Sequence, residues 1–166
     1  MNIGDIVIVN SLVQRDMDAR PIMKQFEIPL LGISSLYLSK YLFDSVYSKI
    51  KVLVENNFLI NTISAENQKT FSILNPKLFV GQIASGYQFF VNSDEKKRLL
   101  LALPEVLCVE MEGAAVAQVC YEYDIQYVII RTISDVSNEG SPVGFKKFVE
   151  RVASKYGLEI IRILLV

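Results

Sequence analysis

The stretch Val128-Ile129-Ile130-Arg131-Thr132-Ile133-Ser134-Asp135-Val136 decides the fold class. It is a nearly continuous apolar run, rich in β-branched residues, that closes on two polar ones. Such a run predicts a strand buried on both faces, here over Gln126–Ile133, as parallel sheets require. Ending it in Ser134-Asp135 delivers polar groups to the strand's carboxyl end, where open α/β sheets hold their ligands. If the extended conformation continues, Arg131, Ile133 and Asp135 share one face. Taken alone, Ser134-Asp135 reads at least as well as a helix cap or a turn.

Working outward, strands and helices alternate. The opening Ile3-Gly4-Asp5-Ile6-Val7-Ile8-Val9 predicts a strand, and Gln14–Pro21 a loop. Leu38, Leu42, Val46, Ile50 and Leu53 recur at helical spacing, so residues 34–57 are expected to be helical, with Ser34 or Ser35 as cap. The polar segment Asn61–Pro76 is expected to be an excursion or loop. Leu78–Val91, with Gly81 and Gly86 inside it, predicts a long, bent strand. A short helix over 94–102, a short buried strand Val106–Val109 and a helix over Glu110–Tyr123 follow. A last helix begins near Val143. The pattern predicts an α/β fold about a mainly parallel or mixed sheet, with residues 1–166 forming one domain.

Composition narrows the function classes. Hydrophobic residues make up 51% of the 166, and mean hydropathy is +0.32. That is apolar enough to suggest a heavily buried sheet or a subunit interface. No stretch approaches the roughly 18–20 apolar residues of a membrane helix, and the N-terminus lacks the marks of a signal peptide. Cys108 and Cys120 sit in apolar surroundings and read as buried, reduced thiols, which points to the cytoplasm. A net charge of −1 offers no general attraction to nucleic acid. The chain contains no histidine. Ser-His dyads and the usual zinc ligand sets are therefore excluded, and any catalysis must rest on carboxylates, hydroxyls, arginine or backbone groups. No metal and no cofactor is expected.

Two further features carry chemistry. Val109-Glu110-Met111-Glu112-Gly113-Ala114-Ala115 places two carboxylates at a strand-to-helix junction. There they should diverge, one neutralising a buried charge such as Arg131 and the other facing a pocket. The plainer reading is favourable placement of acids at a helix N-terminus. Ser85-Gly86-Tyr87-Gln88-Phe89-Phe90 offers aromatic rings that could stack on a flat heterocycle, or simply fill a core.

Together, in this order and spacing, Val109–Cys120 and Ile130–Val136 resemble the 5'-methylthioadenosine/S-adenosylhomocysteine nucleosidases of the purine nucleoside phosphorylase superfamily. Gly4-Asp5-Ile6-Val7 and Gln14–Ala19 fit that family's middle strand and the loop beyond it. The resemblance implies a three-layer α/β sandwich around a mixed sheet. It also implies hydrolysis of the N-glycosidic bond of 5'-methylthioadenosine or S-adenosylhomocysteine, releasing adenine. By motif position, Asp135 would engage N7 and the 6-amino group of adenine, with Ser134 in support. Glu112 would bind ribose hydroxyls, with Met111 against the sugar. Phe89 would stack on the purine, the Phe90 backbone would read its edge, and Phe145 would line the 5'-alkylthio pocket.

The chemistry is coherent from first principles. The purine must leave neutral, so a protonated carboxyl has to meet N7, and burial must raise an aspartate from its usual pKa of about 3.9. The sugar becomes oxocarbenium-like, and a carboxylate on its hydroxyls favours that charge.

The sequence also departs from the family. Tyr87 stands where aspartate usually follows Ser-Gly, and Arg15 replaces the loop's usual histidine. The family's first strand, with its water-activating glutamate, and its glycine-serine loop have no match here. Met1 falls where the middle strand begins. The expectation is thus an N-terminally truncated fold that associates as a homodimer or through an exposed sheet edge. Two alternatives stand beside the nucleosidase reading: a non-catalytic adenine- or nucleoside-binding module or remnant, and a purine nucleoside phosphorylase.

Overall fold

The computed structural model describes residues 1–88, 93–134 and 142–165. Strand β1 (Ile6–Gln14) begins with four fully buried residues, Ile6 to Val9, as its branched apolar composition predicts. It pairs antiparallel with β2 (Leu36–Tyr37) through Ser11 and Leu12, and antiparallel with β5 (Ile130–Thr132) through Ile6 to Ile8. Strand β3 (Leu78–Ser85) runs parallel to β4 (Val106–Glu110). The strand order is β2-β1-β3-β4, with β5 paired to β1. The sheet is mixed and helices flank it, which is the predicted α/β class.

By their contacts the residues fall into two compact units. The first holds Met1–Ile8, Phe43–Phe79 and Ile130–Val166. Most of helix α1 (Lys40–Glu55) lies in it and buries Val46, Ile50 and Leu53, the helical stripe read from the sequence. The short helix α2 (Phe58–Asn61) ends where the expected excursion begins, and α3 (Ala65–Thr70) lies inside that segment, capped by Ser64, which accepts from the Asn67 amide at 3.3 Å. The C-terminal helix has a break in its hydrogen-bond register: α6 (Pro142–Phe148) passes through a π-helical turn, Val149–Ala153, into α7 (Ser154–Leu165). Phe148, Val152, Tyr156 and Ile160 are its buried stripe, and Phe148 meets Phe71 edge-on with ring centroids 5.4 Å apart.

The second unit holds Val9–Leu42 and Val80–Ile129. Val13, Phe26, Ala84 and Val106 form a core cluster here, with Leu99 of α4 (Ser93–Ala102) and Leu103 packed against it. Helix α5 (Gly113–Glu122) buries Gly113, Ala114 and Ala117, the small side chains that allow close approach.

Four local expectations are corrected. Strand β5 spans three half-buried residues and runs antiparallel to β1, rather than forming a buried strand over Gln126–Ile133. Strand β4 is not buried throughout, since Leu107 and Val109 are 37% and 40% exposed. Strand β2 lies inside the span read as helix, and the cap is Ser39, whose hydroxyl accepts from the Leu42 amide at 3.4 Å. Neither cysteine is in a disulfide, and both are half-buried rather than buried.

Candidate functional site

The second unit carries a tightly bonded junction at the carboxyl ends of β3 and β4, where Ser85 pairs with Glu110 in parallel register. The Glu110 carboxylate turns back onto the start of α5. It accepts from the Gly113 amide at 2.9 and 2.8 Å and from the Glu112 amide at 3.1 Å. The Ser85 hydroxyl donates to the same carboxylate and accepts from the Ala114 amide at 2.7 Å. Three amides of the first helical turn are therefore satisfied by one carboxylate and one hydroxyl. Hydrogen bonds to a charged acceptor contribute about 1.5–3 kcal/mol each, and the helix dipole adds to the hold. A Cβ at Gly113 would crowd this cap, lying 3.0 Å from Glu110 Oε1 and 3.1 Å from Leu12 Cδ2.

Of the two carboxylates read at this junction, Glu110 takes the plainer role of holding a helix N-terminus. Glu112 occupies the N-cap position, takes no part in capping with its side chain, and is exposed together with Met111. Those two expected site residues are adjacent and both face outward from a fixed backbone.

A second network holds the chain that leaves β3. The Arg15 amide donates to the Ser85 carbonyl at 2.9 Å, and the Gly86 amide to the Glu110 carbonyl at 2.9 Å. The Arg15 guanidinium donates to the Gln88 carbonyl and pairs with Asp16 at 3.3 Å, while Asp16 accepts from the Tyr87 amide. Gly86 lies directly beneath the Arg15 side chain, where a Cβ has no room. Arg15 and Tyr87, two departures from the family pattern, thus meet in one network. Phe89 and Phe90, the expected purine-binding residues, lie outside the described residues.

In the first unit, the entry to β1 fixes the exit of β5. The Gly4 amide donates to the Ile133 carbonyl at 2.8 Å, and the Ile133 amide to the Asp5 carbonyl at 2.8 Å. The Asp5 carboxylate, 1% exposed, accepts from the Lys77 amide at 2.8 Å and the Asn2 amide at 2.6 Å. Ser134 follows this clamp and is half-buried. Asp135 lies outside the described residues. Phe145 sits on α6 and is 56% exposed.

The sequence offered the Glu110–Glu112 pair as acids at a helix N-terminus without choosing between them, and gave Ser85 no part in that task. The signal was Ser-Gly ending one strand and Glu ending the next, which parallel pairing brings side by side. A concavity lined by Tyr37, Ser39, Cys120, Asp124 and Tyr127 sits at the other end of α5 and contains none of the expected site residues. Among the described residues, no group of three acidic or cysteine side chains is placed to hold a metal ion. No described helix is long and apolar enough to cross a membrane.

A family model for the phosphorylase superfamily matches residues 1–165. The chain belongs to the phosphorylase superfamily. A 5'-methylthioadenosine/S-adenosylhomocysteine nucleosidase of Staphylococcus aureus is 26% identical over 154 residues, covering 92% of this chain and 58% of the relative. This phosphorylase-superfamily chain therefore spans a little over half the length of the curated relatives it matches. Among solved structures, the Helicobacter pylori 5'-methylthioadenosine/S-adenosylhomocysteine nucleosidase with butyl-thio-DADMe-Immucillin-A is 26% identical with a TM-score of 0.72. That match covers 99% of this chain and 61% of the other. The futalosine hydrolase of Helicobacter pylori strain 26695 is 25% identical with a TM-score of 0.66, covering 98% and 60%.

Proposed function

We propose that this chain binds the adenine and ribose of a 5'-alkylthioadenosine, of the 5'-methylthioadenosine or S-adenosylhomocysteine kind, and serves hydrolysis of its N-glycosidic bond. The observation that carries the reading is the rigid β4–α5 junction, which presents an exposed Glu112 beside Met111 in a chain matched end to end by the superfamily. In this reading Glu112 accepts from ribose hydroxyls and Met111 lies against the sugar. Asp135 meets N7 and the 6-amino group with Ser134 in support, Phe89 and Phe90 take the purine, and Phe145 lines the 5' pocket. No cofactor or metal enters the reaction, and residues 1–166 act as one domain.

In this reading a protonated Asp135 gives its proton to the leaving purine, the Glu112 carboxylate favours positive charge developing on the sugar, and water adds to the sugar carbon and releases a proton to solvent, from which Asp135 is reprotonated. The futalosine hydrolase among the neighbours shares the fold under a different activity, so the fold alone does not choose the substrate. We assign that choice to the surroundings of Phe145. The exposed Leu107 and Val109 on β4, and Val116 and Val119 on α5, support self-association. A cytoplasmic location agrees with two free cysteines.

Calorimetry with adenine and with 5'-methylthioadenosine, paired with an assay of adenine release, tests the proposal. Weak binding is expected, with release by this chain alone very slow or undetectable, and Asp135→Asn should weaken adenine binding. Robust release would show that a residue of this chain activates water. No binding of either compound would overturn the nucleoside reading. Light scattering tests self-association, and a monomer at high concentration would refute it.

A further inference from the structure

The Ser85 hydroxyl stands between two things the proposed site needs. It is only 5% exposed, at the carboxyl end of β3, and is bonded on both sides. It donates to the Glu110 carboxylate and accepts from the Ala114 amide at 2.7 Å. The same carboxylate holds the Glu112 amide at 3.1 Å and the Gly113 amide at 2.8 Å. The backbone of Glu112 is therefore fixed by Glu110, and Glu110 is fixed by Ser85. On the other side, the Ser85 carbonyl accepts from the Arg15 amide at 2.9 Å, which ties the same residue to the loop that clamps Tyr87 and Gln88.

We propose that Ser85 is a positioning residue for the ribose-binding end of the site, acting through Glu110 to set where Glu112 presents its carboxylate. This rests on the nucleoside reading above and adds a residue to it. A hydroxyl is suited to the position because it donates and accepts at once. Alanine would leave the Ala114 amide and one carboxylate oxygen without that partner, and the carboxylate could then rotate away from the Glu112 amide. A pocket loosened at the sugar should lose affinity for the nucleoside, whereas adenine, which makes no use of Glu112, should be spared.

The test compares the full chain with Ser85→Ala, Ser85→Thr and Glu110→Gln, using adenine and 5'-methylthioadenosine as separate calorimetric probes. Ser85→Ala should weaken 5'-methylthioadenosine binding about five- to tenfold, the scale of one net hydrogen bond, and adenine binding less than about twofold. Glu110→Gln should shift the ratio in the same direction, and Ser85→Thr, which keeps the hydroxyl, should restore it. Hydrogen exchange at the Ala114 amide gives a readout that needs no ligand. It should be at least about tenfold faster in Ser85→Ala. Equal weakening of both ligands would show a merely structural role and overturn the proposal, as would an unchanged ratio or unchanged exchange at Ala114. If the unaltered chain binds both probes and the ratio stays fixed, Ser85 positioning fails alone. If it binds neither, the nucleoside reading has failed and takes the ribose role with it.

Discussion

Replacing Gly113 by alanine sets two effects of opposite sign against each other. In a helix, glycine to alanine normally stabilises by up to about 1 kcal/mol, because glycine loses more backbone entropy on folding. At Gly113 the new methyl would lie 3.0 Å from Glu110 Oε1, 3.2 Å from Glu110 Cδ and 3.1 Å from Leu12 Cδ2. Leu12 is fully buried and has nowhere to retreat. Glu110 can move only by giving up the Gly113 and Glu112 amides. Losing that charged cap costs about 1.5–3 kcal/mol, more than the propensity gain. The expected net is destabilisation by about 1–2 kcal/mol. Urea unfolding followed by circular dichroism measures it. Gly157→Ala on α7, where nothing lies within 4 Å of a new Cβ, serves as the control and should stabilise by up to about 1 kcal/mol. If Gly113→Ala stabilises as Gly157→Ala does, the Glu110 carboxylate is not held over the helix start and the account of the junction is wrong.

Asp5→Asn should cost about 1–3 kcal/mol, since the buried side chain must accept from the Lys77 and Asn2 amides and an amide group turns a donor toward one of them; unchanged thermal stability would refute the carboxylate's hold on those two amides. Tyr156 is fully buried, its hydroxyl has no partner among the described residues, and burial pushes its pKa up to about 12. The folded state thus favours the protonated phenol: this contribution is intact below about pH 10, where the unfolded tyrosine titrates, and is lost as pH rises toward 12. Tyr156→Phe should keep or raise stability near neutrality, by up to about 1 kcal/mol, and show a smaller fall between pH 10 and 12 than the parent; a parallel fall in both proteins would refute the assignment.

The strand-and-helix alternation was legible because each long element states its own period. Ile6 to Val9 read as a buried strand, and Val46, Ile50 and Leu53 as one helix face, and both readings hold. What was missed depends on partners rather than on local pattern. Val128 and Ile129 are as β-prone as Ile130, yet β5 covers only Ile130–Thr132, where β1 offers Ile6 to Ile8 as ladder partners. Leu36–Tyr37 looks like the first turn of a helix until Ser11 and Leu12 pair with it. The Glu-x-Glu pattern announced that the two acids would differ in role. It could not say which would cap the helix, because that follows from Ser85 lying 25 residues away in sequence and one strand away in the sheet.

The junction also bears on which small molecule fits. A helix N-terminus is ordinarily the place where an α/β protein offers free amides and a positive dipole end to a phosphate. At α5 the amides of Glu112, Gly113 and Ala114 are already bonded to Glu110 and Ser85, and the group bonded to two of them is itself an anion. A phosphate arriving there would find these three amides already bonded and would face two carboxylates, Glu110 and Glu112, two positions apart. Hydroxyls meet the opposite situation, since an exposed carboxylate is an acceptor they can donate to without burying a net like charge. The geometry at this junction therefore favours a sugar bearing free hydroxyls over a phosphorylated one. This supports the proposal that an uncharged nucleoside is the ligand and that Glu112, rather than Glu110, is the carboxylate proposed to meet its sugar.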